Sequence, residues 1–365
     1  MAAIPAQQSS EMELENQATN QVPPPVSPVA YSRFTKNERR IIVALIAFAG
    51  WFSTLSSFIY YPAIPTIATS LHSSISFINL TVTSYLVVSA IAPAFVGDAA
   101  DTFGRRPLYV VTLTLYVAAN VSIALQHSAV SLLILRMLQS IGISGTFSVA
   151  YGVIADISIP SERGAFVSAV SFGITTAPSL GPVVGGLLAF GPGWRWIFWF
   201  LTIAAGSCLA AIYLALPETN RALVGNGGVK PPKVLRLPLS TKGFMQPWEK
   251  DDGPVGPIPP RTVRNIPNPI QSLRILSRKD VAINNTLLVD INPDRPATAQ
   301  ASSNIVRCIL SAILIAVLQK LIDALGFGLT FTILSLFCLA AGIFYLIELK
   351  YGMKWRLARQ NMAVD

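Results

Sequence analysis

Apolar residues in this chain come in long blocks, not in the short alternating groups of a water-soluble core. Eight blocks stand out, at about 41–66, 76–96, 107–125, 129–155, 165–190, 195–216, 304–325 and 327–348. Each is long enough to cross a bilayer, whose hydrocarbon core of roughly 30 Å takes about 20 apolar residues as helix. Polar positions gather between and outside the blocks. The pattern predicts an all-α polytopic membrane protein. Its parts are a disordered tail over 1–40, a six-helix unit over 41–217, a linker over 218–297, two further spans over 298–349, and a tail over 350–365. The first 30 residues are Pro- and Gln-rich and have too little apolar surface to order themselves. The block from Ile41 serves as an uncleaved signal anchor. Within the linker, 268–282 sets Ile270, Leu273, Ile275 and Leu276 among basic positions. A helix on the inner leaflet and a solvated helix both fit that pattern.

Charge supplies the orientation. Arg33, Lys36, Arg39 and Arg40 precede the first block, Arg105 and Arg106 follow the second, and Arg163 follows the fourth. Arg221, Lys230, Lys233, Arg278 and Lys279 lie in the linker, and Lys350, Lys354, Arg356 and Arg359 in the tail. The intervening turns carry none, apart from Arg195 at an edge. Basic residues favour the cytoplasmic side, so both termini and the linker are expected there. The net charge of +9 thereby becomes a topology signal, with no nucleic-acid partner implied. Only 12% of the residues are charged, against about 25% in soluble domains. Cys208, Cys308 and Cys338 all fall in apolar blocks without metal-ligand spacing and read as small buried hydrophobes.

Four motifs carry candidate chemistry. The turn GDAADTFGRRP, residues 97–107, sets Gly97 and Gly104 for tight backbone geometry and Asp101 to cap a helix or pair with a cation, beside Arg105 and Arg106. LRMLQSIG, residues 135–142, puts Arg136 about two turns inside the fourth block, with Gln139 on the same face and Gly142 beyond. An intramembrane Arg costs roughly 2.5–3.5 kcal/mol on insertion scales. It either faces the protein interior with a function or snorkels to the surface.

GITTAPSLGPVVGG, residues 173–186, repeats small residues at Gly173, Ala177, Gly181 and Gly185, with Gly186 next and Pro178 and Pro182 interposed. Close helix packing explains the ladder, and the two prolines add an expected bend. WRWIFW, 194–199, looks like an interfacial anchor. In LPETNR, 216–221, Pro217 ends the sixth block and Glu218 and Arg221 are expected in water.

These motifs, in this order, resemble the major facilitator superfamily, and within it the fungal twelve-helix drug:proton antiporter branch (multidrug and quinidine resistance). The G-x-x-x-D-x-x-G-R-R turn is met at Gly97, Asp101, Gly104, Arg105 and Arg106, and R-x-x-Q-x-x-G at Arg136, Gln139 and Gly142. The antiporter pattern G-x-x-x-G-P-x-x-G-G is met at 177–186, with Ala177 for the first Gly and Gly181, Pro182, Gly185 and Gly186 in place. LPETNR has a distant likeness to a sugar-porter motif and is given no weight.

The resemblance implies a helix bundle with alternating access and a complete N-terminal half. A repeat of ADISIPSERGA (155–165) in VDINPDRPA (289–297) aligns Asp156 with Asp290. The last two blocks then correspond to the family's eleventh and twelfth helices, with the seventh to ninth and most of the tenth missing between.

The resemblance further implies proton-coupled export of small organic compounds through the plasma membrane or, alternatively, the vacuolar one. The proton gradient is the driving force and no cofactor is needed. Asp101 would lock against the start of the eleventh helix near Ala297, Arg136 would belong to the proton-coupling region, and Gly181–Pro182 would be hinge or seal. Two alternatives stand beside this: a truncated, transport-inactive membrane protein, and an uptake carrier. No Asp, Glu or His lies at mid-depth in the blocks, and no catalytic set points to an enzyme.

Overall fold

The structure, a computed structural model, describes residues 31–231, Trp248, and Ala297, Thr298, Gln300, Ala301, Asn304 and Ile305. The linker helix at 268–282, Asp290 and the bulk of the last two blocks lie outside the described residues.

The first span opens at Thr35. Its hydroxyl accepts from the Glu38 amide, and the Glu38 carboxylate accepts from the Thr35 amide at 2.8 Å. This reciprocal cap starts helix α1 at Lys36–Phe58, five residues ahead of the expected boundary. The preceding segment is docked as well. Tyr31 donates its hydroxyl to the Ala155 carbonyl, and the Arg33 amide donates to Asn226 O. A tail disordered to residue 40 is therefore corrected to one that is structured from Tyr31.

A 3-10 turn at Tyr61–Ala63, set by Pro62, separates α1 from the short α2, Ile64–Ser70. Then follow α3 (Ile75–Phe103), α4 (Arg105–Leu125), α5 (Ala129–Ile157), α6 (Pro160–Phe190), α7 (Arg195–Ala215) and the four-residue α8 (Arg221–Val224). Among the described residues, six spans are long and apolar enough to cross a membrane, with α1 and α2 forming one of them.

Gly104 closes α3 and opens α4 at φ +112, a conformation that favours glycine. α6 runs as one helix through Pro178 and Pro182.

The bundle is organised around α5. It packs on α3 and α4 and also meets α1 and α6. Its small residues make this possible: a Cβ on Gly142 would lie 2.6 Å from the Tyr116 amide nitrogen, and one on Gly145 would lie 2.3 Å from Val96. Trp194 is buried edge-on to Phe198, while Trp196 is exposed. Of the expected interface anchors, Trp194 is a core residue instead.

Candidate functional site

Two polar clusters lie in this bundle. The first sits at the arginine-rich end, where the α3–α4 turn, the end of α5 and the chain after α7 converge. Arg105 is 2% exposed and projects into space left by Gly152. Its Nε donates to Asp156 Oδ2 at 2.9 Å, and its Nη1 bonds Asp101 Oδ1. Breaking such a buried pair costs about 3–5 kcal/mol, because the remaining partner keeps an uncompensated charge.

Asp101 uses its other oxygen on Thr298, which with Ala297 is helical. Thr298 donates to Oδ2 from its amide at 3.1 Å and from its hydroxyl at 2.6 Å. A Cβ on Gly97 would sit 2.9 Å from the Ala297 carbonyl, so the absent side chain admits that segment against α3. Asn304 extends the contact by donating to Ser89 O at 3.0 Å.

Glu218 completes this cluster and corrects an expectation. It is 2% exposed, not in water. Its carboxylate accepts from the amides of Arg105 (2.9 Å), Arg106 (3.2 Å), Thr219 (3.0 Å) and Asn220 (2.9 Å). It thus supplies the helix cap that Gly104, with no side chain, cannot give to α4. Burial pushes its carboxyl above the ordinary range, and the amide donors pull the other way without prevailing.

Asn220 donates to Ala100 O and Asp101 O. Arg221, also expected in water, donates Nε to Asp156 O at 2.9 Å, bonds Tyr31 O and lies over the Tyr31 ring. Arg106 donates to Tyr213 O at 2.8 Å. Residues 216–221 thus form a strap across the turn.

The second cluster is inside the bundle. Arg136 is 1% exposed, so it does not snorkel. Its guanidinium lies between the rings of Tyr60 and Tyr85, 4.3 Å from each centroid. Its Nη1 donates to Gln139 Oε1 at 2.6 Å. Gln139 in turn donates to Asn120 Oδ1 at 2.7 Å and to Ser56 at 3.4 Å, and Ser56 shares a 2.7 Å bond with the Tyr116 hydroxyl. Tyr60 bonds Thr81. Among the described residues, Nε and Nη2 of Arg136 have no hydrogen-bond partner. Among the described residues, no carboxylate pairs with it. Each desolvated cation–π contact contributes about 2 kcal/mol, while burying the ion costs several.

The α6 ladder faces the end of α1 beside this cluster. A Cβ on Gly181 would lie 2.8 Å from Phe58 Cβ, and one on Gly185 only 2.0 Å from Ile59 O. On Gly186 it would meet nothing nearer than Pro62 at 4.0 Å. The ladder is a close-approach face at Gly181 and Gly185, and Gly186 has room to spare. Pro182, between them, lies within the same helix. No group of three or more His, Cys, Asp or Glu that could hold a metal occurs among the described residues.

Comparison with known proteins decides the family. The Major Facilitator Superfamily profile matches residues 46–282. The chain belongs to the major facilitator superfamily. It is a family of carriers, not of enzymes, and its members are integral to membranes. Relatives of this superfamily chain include the MFS-type transporter phiD of a Fungal sp., 42% identical over 69% of this chain and 38% of that protein. Quinidine resistance protein 1 of Saccharomyces cerevisiae is 35% identical over 68% of this chain and 44% of its own length. Citrate exporter 1 of Aspergillus niger is 41% identical over 54% and 38%. The chain therefore spans less than half the length of these curated relatives.

Asp156, Glu218, Asn220, Tyr60, Tyr85 and Asn120 are site residues that motif reading missed. Asn120, a lone amide in an apolar block, and Asp156, a lone acid near a block's end, carried a legible signal. The tyrosines did not, since an aromatic in an apolar run is ordinary.

Proposed function

We propose that this superfamily chain supplies the N-terminal half of a proton-coupled exporter of small organic compounds. Support comes from the α6 motif seated on the end of α1, where Gly185 admits the Ile59 carbonyl. A face packed this closely resists leaks and can slide without side chains interlocking, which suits a hinge or seal. The Asp101–Thr298 contact fits a lock that ties the first six spans to the following helical segment while one side of the bundle is closed. Relatives that include a quinidine resistance protein and a citrate exporter support export of organic molecules. The arginine-rich end gathers Arg39, Arg105, Arg163 and Arg221 on one side of the bundle, which supports cytoplasmic termini. The plasma membrane is the proposed site.

The test is proton-dependent efflux of rhodamine 6G and of citrate from vesicles bearing the protein encoded by the complete transcript. That transcript is to be read through the codons for Arg274 to Asp290. Efflux that collapses with the pH gradient supports the reading, and its absence for a broad panel of organic compounds ends it. A second reading, a transport-inactive chain, is favoured by the coverage of only 38–44% of the relatives' lengths. Efflux by the 365-residue chain itself would overturn that one.

A further inference from the structure

We infer that Arg136 is a recognition site for the carboxylate of a small, partly apolar organic acid. A guanidinium presents two kinds of edge to an anion. The edge formed by Nε–H and one terminal nitrogen holds two parallel donors at the spacing of a carboxylate's oxygens. In Arg136 the end nitrogen Nη1 is committed to Gln139. Nε and Nη2, the pair that makes the side-on fork, are the atoms without a partner. The group is aimed and held: the two tyrosine rings clamp its faces, and Gln139 fixes its rotation from a network that ends on Asn120 and Ser56. Orientation by this much structure, with the buried bidentate edge unpartnered among the described residues, is what anion recognition requires.

Other features of the site agree. The faces of the guanidinium are covered by aromatic rings, so an acid with an apolar body is better matched than a heavily hydrated one. Tyr60 lies where α1 gives way to the 3-10 turn at Tyr61–Ala63, and the sparse ladder of α6 adjoins it at Phe58 and Ile59. A ligand could displace this ring by moving a helix end, without tearing a helix interior. Arg105, as deeply buried as Arg136, has its Nε engaged by Asp156 and its Nη1 by Asp101.

The inference rests on the transporter reading only for the route by which a ligand arrives. It narrows the substrate class to anions. Cationic drugs would meet a like charge here.

The first experiment is equilibrium binding of radiolabelled benzoate to the purified 365-residue chain in nanodiscs, with benzamide and trimethylphenylammonium as shape-matched neutral and cationic competitors. Saturable benzoate binding is expected, with at least tenfold weaker competition by either control. Arg136→Lys keeps the charge and loses the fork, and is expected to weaken binding at least tenfold. Arg136→Gln is expected to abolish it. Should either variant fail to fold, 15N NMR of the wild-type arginine side chains decides, since benzoate must shift an Nε resonance and benzamide must not. Equal competition by benzamide, unchanged affinity in a folded Arg136→Lys, or no saturable binding to wild type would each overturn the assignment. Efflux of a cationic dye without benzoate binding would sink this inference and leave the exporter reading intact. Benzoate binding without efflux of any compound would do the reverse.

Discussion

Arg105 and Arg136 are equally sealed from solvent, yet their charges are met in different ways. Arg105 lies between two carboxylates, Asp101 and Asp156, and pairs with both. Among the described residues, Arg136 meets two aromatic faces, one amide oxygen and no acid. The first arrangement is closed, since Arg105 is paired with both carboxylates and the cluster holds helix ends together. The second leaves a charge unneutralised: packing and hydrogen bonds orient a cation whose Nε and Nη2 have no partner among the described residues. Position follows the same division. The first cluster sits at the ends of α3 and α5 and on the chain after α7, and the second lies inside the bundle.

Removing the two arginines should separate these roles. Arg105→Leu strands two buried carboxylates, so a loss of about 3–5 kcal/mol is expected. Heat-challenged size-exclusion chromatography would show little folded protein surviving. Arg136→Met leaves no acid behind and orphans mainly the Gln139 oxygen, for a cost of about 1–3 kcal/mol. Equal losses in the two variants would break the comparison. The neighbourhood of Tyr60 offers a sharper probe. Gly185→Ala forces a Cβ onto the Ile59 carbonyl, which overpacking places at about 1–3 kcal/mol. Gly186→Ala should stay within about 0.5 kcal/mol. A thermal midpoint lowered by Gly186→Ala as much as by Gly185→Ala would remove the close-approach account.

The smallest expected effect is on pH dependence. Burial raises the Glu218 carboxyl above its ordinary value of 4.5, so the folded chain holds a proton that the unfolded chain has released. Stability therefore falls as pH rises from about 4.5 through the folded value, and levels off above it. Glu218→Gln removes this contribution. The difference between wild-type and variant midpoints, plotted against pH, should change across that window and be flat above it.

Much of this was legible in residue order. The apolar blocks located the six described spans to within about seven residues, because each must carry enough apolar residues to cross the hydrocarbon core. The turn motif marked Asp101, and the expected contact with the segment from Ala297 is present at Thr298. Sequence distance hid the rest. Glu218 was placed in water because it follows a helix-ending proline. Nothing local says that the chain turns back across the amides of Arg105 and Arg106. The clamp on Arg136 was equally hidden, since Tyr60 and Tyr85 come from two other helices and look like any apolar-block aromatics.

The strap also sets an order of events during synthesis. The amides of Arg105 and Arg106 wait for a carboxylate more than a hundred positions downstream. At about 5–20 residues per second, the ribosome delivers Glu218 roughly 6–20 s after the third span has begun to emerge. Until then the start of that helix is held by solvent, lipid headgroups or a chaperone. Nascent chains stopped before Leu216 should therefore be degraded faster than those a few residues longer.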